Sequence, residues 1–322
     1  MKKLIGMGAA IVDKVKSVDE GFLTQHNFKK GDMHLIDADQ AQGLTASLSD
    51  AVAVAGGSAA NTTVGYALFG GRAMFAGRVA NDDLGNAYAQ SMEDAGVRFV
   101  NLQGTQDIGT GYCCSMVTPD GERTMATYLG ASGDFTGTSV TPALLDGADM
   151  LFLEGYIWDT PARAEAADKA IRAIHAAGGK VGFTLSDVWV VKKHHGTFMQ
   201  YLKAGMVDVL FANKKEIKAL AGIDDFDKAI EATRHLAKTV VVTRSEEGAM
   251  ILQGDTTYTV PAVKIDRVVD ATGAGDMFAA GFLFGHLNGY SPEESGRIAA
   301  AAAAHVISHI GARPKQDLKL FL

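Results

Sequence analysis

The sequence predicts an α/β fold in which a mostly parallel sheet is flanked by helices and carries a small inserted β lid. Short apolar runs recur along the 322 residues, and helical patterns follow several of them. Two other stretches alternate between apolar and polar residues, which is typical of a separate β layer. Apolar residues make up 47% of the chain, enough to fill the core of one large domain.

The predicted strands of the main sheet are short apolar runs. They are Leu4–Met7, Arg72–Gly77, Met150–Glu154, Lys180–Leu185, Val207–Ala212 and Thr239–Thr243. The predicted helices are Thr62–Phe69, Ala162–Ala177, Thr197–Lys203 and the alanine-rich Glu293–Ile307. Strands that alternate with helices form parallel sheets covered on both faces. Ligands of such folds bind beyond the carboxyl ends of the strands, so candidate site residues are sought there.

The lid is predicted from residues 12–50 and 97–133, which we expect to form an insertion in a single domain spanning residues 1–322. Tyr112–Val117 and Arg123–Leu129 are extended patterns, and an Asp-Gly pair between them is a strong hairpin signal. A flap over a cleft is the functional interpretation, and a plain structural extension is the alternative. The sequence leaves open whether the lid edge pairs with a second copy as a homodimer.

Composition excludes several classes of function. The net charge of −7 argues against a general nucleic-acid surface. No apolar run is long enough for a membrane span, and the first residues lack the apolar stretch of a leader peptide. Cys113 and Cys114 are adjacent, which suits neither an ordinary disulfide between them nor a zinc site. A cytoplasmic location is therefore expected.

The most informative segment spans residues 270–276, where small residues precede an apolar helical run. A helix that begins there would present free N–H groups and the positive end of its dipole. Asp276 could accept a proton while these amides hold a developing negative charge. That combination suits the transfer of a phosphoryl group to an alcohol. The alternative is a glycine-rich turn in which Asp276 serves only as a capping acid.

Two further segments offer groups that could bind hydroxyls. Gly57 allows a ligand to approach the backbone, and Asn61 offers both a donor and an acceptor. The alternative is a helix start with Ser58 as the cap. Asp13 follows a predicted strand end and could accept hydrogen bonds from vicinal hydroxyls, whereas a solvated loop acid is the commoner case.

Asn213 and Glu216 follow the predicted strand Val207–Ala212 and lie one helical turn apart. Such a pair can hold Mg²⁺ through water, because this ion prefers oxygen ligands and keeps several waters. The alternative is a capping box, with Asn213 as the cap and Glu216 completing it.

Taken in series, these motifs resemble the ribokinase-like (PfkB) family of carbohydrate and nucleoside kinases. Residues 56–85 are similar to its N-terminal signature and residues 270–276 to its C-terminal signature. Asn213 and Glu216 match its Asn-x-x-Glu magnesium motif. The resemblance implies ATP-dependent phosphorylation of a primary alcohol, with ATP and Mg²⁺ bound and dependence on a monovalent cation left open.

The resemblance also implies roles for individual residues. Asp276 would be the general base, and the N–H groups of Ala274 and Gly275, after Gly273, would form the anion hole. Substrate would contact Asp13, Gly57 and Asn61. Tyr156 is a further candidate for substrate contact, because it follows the predicted strand that ends at Glu154. The nucleotide would contact Asn213, Thr243, Arg244, Gly248, Gly273 and Gly275. Ser245 stands where the family commonly has glycine, and Arg244 could reach a phosphate or lie on the surface.

Within the family, residues 5–13, 55–61 and 109–114 are similar to the adenosine kinase branch, although Ala9 stands where asparagine is common there. An adenosine-like nucleoside is therefore the expected substrate. A sugar such as ribose, fructose or 2-keto-3-deoxygluconate is the alternative. Tyr156 and Trp158 could stack on a base or simply fill the core.

Two other classes of protein share some of these sequence features. An NAD-dependent oxidoreductase would need a third glycine after Gly6 and Gly8, but Ile11 stands in that place. A non-catalytic ligand sensor on a kinase fold is disfavoured by the presence of Asp276. The sequence leaves the oligomeric state open.

Overall fold

The computed structural model describes residues 1–48 and 51–322. In these residues the strands are β1 (Lys3–Met7), β2 (Ile11–Ser17), β3 (Met33–Leu35), β4 (Val52–Gly56), β5 (Arg72–Gly77), β6 (Val97–Asn101), β7 (Tyr112–Val117), β8 (Arg123–Tyr128), β9 (Met150–Glu154), β10 (Lys180–Thr184), β11 (Val209–Asn213), β12 (Thr239–Thr243), β13 (Ala249–Gln253) and β14 (Thr256–Val260). The helices are α1 (Glu20–Gln25), α2 (Ala38–Ser47), α3 (Ser58–Leu68), α4 (Asp83–Asp94), α5 (Pro142–Leu145), α6 (Pro161–Ala176), α7 (Val188–Lys203), α8 (Lys214–Ala221), α9 (Phe226–Thr233), α10 (Ala274–Leu287) and α11 (Pro292–Val306).

The main sheet has the strand order β14-β13-β12-β11-β10-β9-β1-β5-β6 within the described residues. The pairings from β6 to β12 are parallel, whereas β12, β13 and β14 are antiparallel to one another. The predicted α/β fold with a mostly parallel sheet is therefore confirmed. The antiparallel β13–β14 pair was not predicted from the sequence.

The parallel strands are buried on both faces, as the sequence predicted. Adjacent residues of β1 belong to different core clusters: Leu4 to one, Ile5 to the other. The first cluster includes side chains of α3, α4, α10 and α11, and the second includes side chains of α5, α6, α7 and α8. Trp158 is 8% exposed and packs edge-on against Phe183 and Phe198, so it fills the core.

A second sheet has the order β3-β8-β7-β2-β4 in the described part of the chain. Side chains of α1 and α2 form a small core with one face of it, around Leu23, Leu44 and Met116. The boundaries of this sheet differ from those of the predicted lid. Strand β6 lies in the main sheet, and β4 of the small sheet begins after residue 50. Alternation alone cannot tell which sheet a strand joins. Residues 49 and 50 of the predicted lid lie outside the described residues.

Within the described chain, none of the helices combines the length and the apolar character that crossing a membrane requires.

Close packing of α10 on α11 depends on a glycine. A Cβ added at Gly281 would lie 2.8 Å from the Cα of Ala299, which is closer than real contacts allow. The helix-interior glycine costs about 1 kcal/mol of helix propensity relative to alanine, so its presence indicates a packing constraint.

We predict that Gly281→Ala destabilises the protein by about 1–3 kcal/mol, because the two helix backbones must separate. The measurement is urea unfolding. The matched control is Gly43→Ala in α2, where an added Cβ meets nothing within 4 Å. That change should stabilise the fold by up to about 1 kcal/mol through propensity alone. Equal effects of the two substitutions would contradict the packing argument.

Candidate active site

A cavity of about 540 Å³ opens at the carboxyl ends of the main-sheet strands. Its lining combines strand ends, the glycine-rich segment 270–276 and the tip of the β7–β8 hairpin. Residues that contribute to it include Ser58, Glu122, Arg123, Met125, Tyr156, Asn213, Glu216, Thr243 and Asp276. The two sheets therefore meet at one cavity, at the edge where an α/β fold binds ligands.

Asp276 lies in the first turn of α10, which begins after Gly273 in a left-handed conformation (φ 77°). Its Oδ1 accepts a hydrogen bond from Ser58 Oγ at 2.7 Å, and its Oδ2 accepts one from Asn61 Nδ2 at 3.1 Å. Partial burial of the carboxylate raises the pKa of Asp276 to about 6 against the opposing effect of both hydrogen bonds. A base with this pKa is largely deprotonated at neutral pH and can still accept a proton.

The glycine-rich segment is shaped by Asp270. Its carboxylate accepts hydrogen bonds from the N–H groups of Thr272 and Gly311, both at 2.9 Å. The N–H of Ala274 donates to the carbonyl of Ala271 at 3.3 Å, whereas the N–H of Gly275 belongs to the helix turn that lacks regular intrahelical acceptors. Gly275 is therefore the better placed of the two predicted anion-hole donors.

The start of α3 places Ser58 and Asn61 beside Asp276. Gly57 is the N-cap residue with φ 94°, and an added Cβ there would lie 2.2 Å from the carbonyl oxygen of Ala9. No side-chain cap is found for α3 among the described residues. Ser58 is thus not the cap that the alternative interpretation expected, and its hydroxyl is used on Asp276. Gly57 and Asn61 stand behind the cavity lining, and Asn61 reaches the cavity through its contact with Asp276.

Glu154, which was not predicted from the sequence, fixes the start of α3 relative to the end of β1. It ends β9 and is 1% exposed. One carboxylate oxygen accepts from the N–H of Ala9 and the other from the N–H of Ala59, both at 2.8 Å. Burial raises the pKa of Glu154, and these two hydrogen bonds oppose the shift. The sequence feature that could have indicated Glu154 is an acidic residue at the end of an otherwise apolar strand.

Asp13 lies on β2 of the small sheet, 3.5 Å from the guanidinium of Arg123. Burial raises the pKa of Asp13, and the Arg123 charge counteracts this. Arg123 also donates a hydrogen bond to Thr272 Oγ1, so it connects the lid hairpin to the glycine-rich segment. Arg123 was not predicted from the sequence, because an arginine after a hairpin turn is usually a surface residue.

Asn213 and Glu216 form the capping box that the alternative interpretation predicted. Asn213 Oδ1 accepts from the N–H of Glu216 at 2.9 Å, and Glu216 Oε2 accepts from the N–H of Asn213 at 2.9 Å. Both residues also line the cavity. Burial raises the pKa of Glu216 to about 7. Because their oxygens already have hydrogen-bond donors, the pair fits Mg²⁺ held through water better than direct coordination.

The predicted nucleotide contacts after β12 are only partly brought to the cavity. Thr243 lines it, whereas Arg244 and Gly248 are not among the described residues that do. Arg244 Nη2 donates to the carbonyl oxygen of Glu247 at 2.8 Å. Ser245, in the usual glycine position, has φ 55°, a conformation that glycine adopts without strain.

Tyr156 lines the cavity, and its ring lies 6.3 Å from that of Trp189. Burial raises the pKa of Tyr156 well above its usual range, so the hydroxyl stays neutral. Tyr156 is thus the one of the two predicted stacking residues that can reach a ligand.

Comparisons with known proteins identify the family and agree with the overall fold. Residues 26–318 match the pfkB family of carbohydrate kinases. The chain is 28% identical to the adenosine kinase of Saccharomyces cerevisiae, with 96% of this chain and 95% of that protein covered. Among solved structures, it is similar to a probable sugar kinase from Rhizobium etli (38% identity, TM-score 0.95, 99% of this chain and 97% of that chain). It is also similar to an adenosine kinase from Sinorhizobium meliloti (39% identity, TM-score 0.95, 99% and 98%).

We predict that Glu154→Gln destabilises the fold by about 1–3 kcal/mol, because the amide NH₂ would then face a buried N–H donor. Urea unfolding measures this. Glu165→Gln on the exposed side of α6 is the control and should change stability by less than about 0.5 kcal/mol. A stability of Glu154→Gln equal to that of the control would show that the two backbone hydrogen bonds contribute little.

Proposed function

This chain belongs to the pfkB family of carbohydrate kinases, and from this premise we propose that it transfers the γ-phosphoryl group of ATP to a primary hydroxyl of an adenosine-like nucleoside. Membership makes it a phosphotransferase that acts on a nucleoside or a sugar. The observation that carries the proposal is the Asp276 carboxylate, held by two donors at the start of a helix that faces a cavity.

In the proposed reaction, Asp276 accepts the proton of the substrate hydroxyl as its oxygen attacks the γ-phosphorus. Ser58 and Asn61 hold the carboxylate in place through their hydrogen bonds. The N–H groups at the start of α10, including that of Gly275, stabilise negative charge on the phosphoryl oxygens. Catalysis of this kind depends mostly on positioning and electrostatics.

The polyphosphate end of the site would lie near Asn213, Glu216 and Thr243, which share the cavity with Asp276. Mg²⁺, when bound, would neutralise phosphate charge there. Asn213 and Glu216 would hold its waters and keep them oriented through the rigid capping box. Arg123 lies on the same cavity and adds a positive charge from the lid. The lid would exclude water and so limit ATP hydrolysis.

Met125 of the small sheet and Tyr156 offer apolar surface to the cavity, which favours a nucleoside over a free sugar. Ala9, Ile11 and Cys113 form a buried apolar cluster, and Met125 and Leu129 pack against it. Asp13, a neighbour of Cys113 across the β2–β7 register, could accept hydrogen bonds from ribose hydroxyls beside this cluster. Apolar surface next to a hydroxyl acceptor suits a flat base linked to a sugar, and Met125 and Tyr156 bring such surface to the cavity.

Assembly and location follow from the same proposal. Helices α1 and α2 cover one face of the small sheet, so pairing with a second copy through the lid would use an edge strand, β3 or β4. Two free cysteines are compatible with the reducing cytoplasm, where ATP and nucleosides are available.

The test is a phosphorylation assay with ATP and Mg²⁺ across adenosine, ribose, fructose and 2-keto-3-deoxygluconate. We expect kcat/KM to be highest for adenosine, because only a nucleoside carries a base that Met125 and Tyr156 can contact. Asp276→Asn should lower kcat by about 10³-fold while ATP binding, measured by calorimetry, persists. Asp224→Asn, an exposed loop position, is the control and should behave as wild type. Preference for a sugar would support the alternative substrate class. Unchanged turnover of Asp276→Asn would remove the proposed base.

The raised pKa of Asp276 predicts the pH dependence. A general base acts only when deprotonated, so kcat/KM should be constant above the pKa and should fall as pH decreases through about 6. Ser58→Ala removes a hydrogen bond to the charged carboxylate, so its acid limb should lie at higher pH than that of wild type. The assay uses saturating Mg²⁺ to separate this effect from titration of ATP. Identical acid limbs for the two proteins would contradict the assignment to Asp276.

A further inference from the structure

Arg313 lies in the segment after α11 and reaches the site from behind. Its Nε donates to Asn61 Oδ1 at 3.2 Å, and its Nη1 donates to Ser91 Oγ at 3.0 Å. Its Nη2 lies 3.2 Å from Met92 Sδ. Ser91 and Met92 belong to α4, so the guanidinium is fixed between that helix and the start of α3. The family motifs and the cavity lining do not include this arginine.

The contact determines which way the Asn61 side chain faces. Asn61 is 3% exposed and makes one hydrogen bond on each side of its amide. In the observed orientation the oxygen faces the guanidinium and the NH₂ group faces Asp276. The reverse orientation would place donor against donor at Arg313 and acceptor against carboxylate at Asp276. Both contacts would then be repulsive, so Arg313 and Asp276 together leave Asn61 a single favourable orientation.

We propose that Arg313 is a positioning residue that fixes the Asn61 amide and thereby keeps a hydrogen-bond donor on the Asp276 carboxylate. This role deepens the proposed function, since it bears on the same base. The segment after α11 would thus contribute to catalysis without contacting the substrate. Arg313 acts through Asn61, and its charge also lies near Asp13.

The charged groups around Asp276 define what the loss of Arg313 would do. Glu154 from β9 and Asp13 from β2 oppose ionisation of Asp276, and the ionisable Tyr156 is also nearby. Arg123 from β8 pairs with Asp13 and contacts Thr272. Removing Arg313 would take away one of the two contacts that hold the Asn61 amide and leave the acidic groups less compensated. Both changes disfavour the carboxylate form of Asp276.

The test is a titration of Asp276 that does not depend on turnover. Aspartate carboxyl carbons labelled with ¹³C are followed by NMR against pH, and the Asp276 signal is assigned by its absence in Asp276→Asn. We expect Arg313→Gln to raise the titration midpoint of Asp276 by about one pH unit, the size expected for losing a hydrogen bond to a carboxylate. Arg313→Lys, which keeps the charge, should raise the Asp276 midpoint by less than Arg313→Gln does.

A kinetic arm uses the same variants with the substrate found in the phosphorylation assay. We expect Arg313→Gln to lower kcat about tenfold at pH 6.5, to shift the acid limb upward with the NMR midpoint, and to leave KM for ATP unchanged. Lys315→Gln, an exposed charge removal two residues away, is the control and should match wild type in both arms. Urea unfolding verifies that each variant is folded.

If Arg313→Gln does not fold, Arg313→Lys and Ser91→Ala carry the test. Ser91→Ala releases one arm of the guanidinium and should raise the midpoint by a smaller amount. An unchanged Asp276 midpoint in the folded variants would overturn the proposal. A shifted midpoint in a protein that phosphorylates none of the tested alcohols would instead overturn the proposed function and leave the positioning role standing.

Discussion

The carboxylate of Asp276 is partly buried at the start of α10. The neighbouring residues of the site offset the free energy that burying this charge costs. Burial disfavours the charge of Asp276, and hydrogen bonds from Ser58 and Asn61 partly compensate. A carboxylate without these donors would be protonated too readily to act as a base. A fully solvated one would be a weak base at neutral pH. The observed balance therefore depends on how α3 is held.

Several buried contacts hold α3, and they come from distant parts of the chain. Glu154 joins the N–H of Ala59 to that of Ala9, which connects α3 to the end of β1. Gly57 permits a close approach to the carbonyl of Ala9 that any side chain would block. The capping box of α8 gives Glu216 comparable rigidity across the cavity. Buried polar groups that are fully satisfied in this way specify one arrangement of the backbone.

The sequence was sufficient to predict the parallel sheet, because short runs of β-branched apolar residues, such as residues 240–242, are typical of buried strands. Asp276 and Asn61 could be chosen as candidates because each lies in a local motif, and the structure places their side chains in contact. The sequence was insufficient where the determinant is a long-range contact. Glu154, Arg123 and Arg313 are single charged residues whose partners lie far away in sequence. The β6 strand alternates like a lid strand, and only packing assigns it to the main sheet.

The segment after α11 has a consequence for how the protein is made. Gly311 donates to Asp270, Ala312 packs against Gly273, and Arg313 orients Asn61. During translation these residues emerge from the ribosome after both sheets have been synthesised. The contacts that complete the cavity can therefore form only after every strand of both sheets has been made.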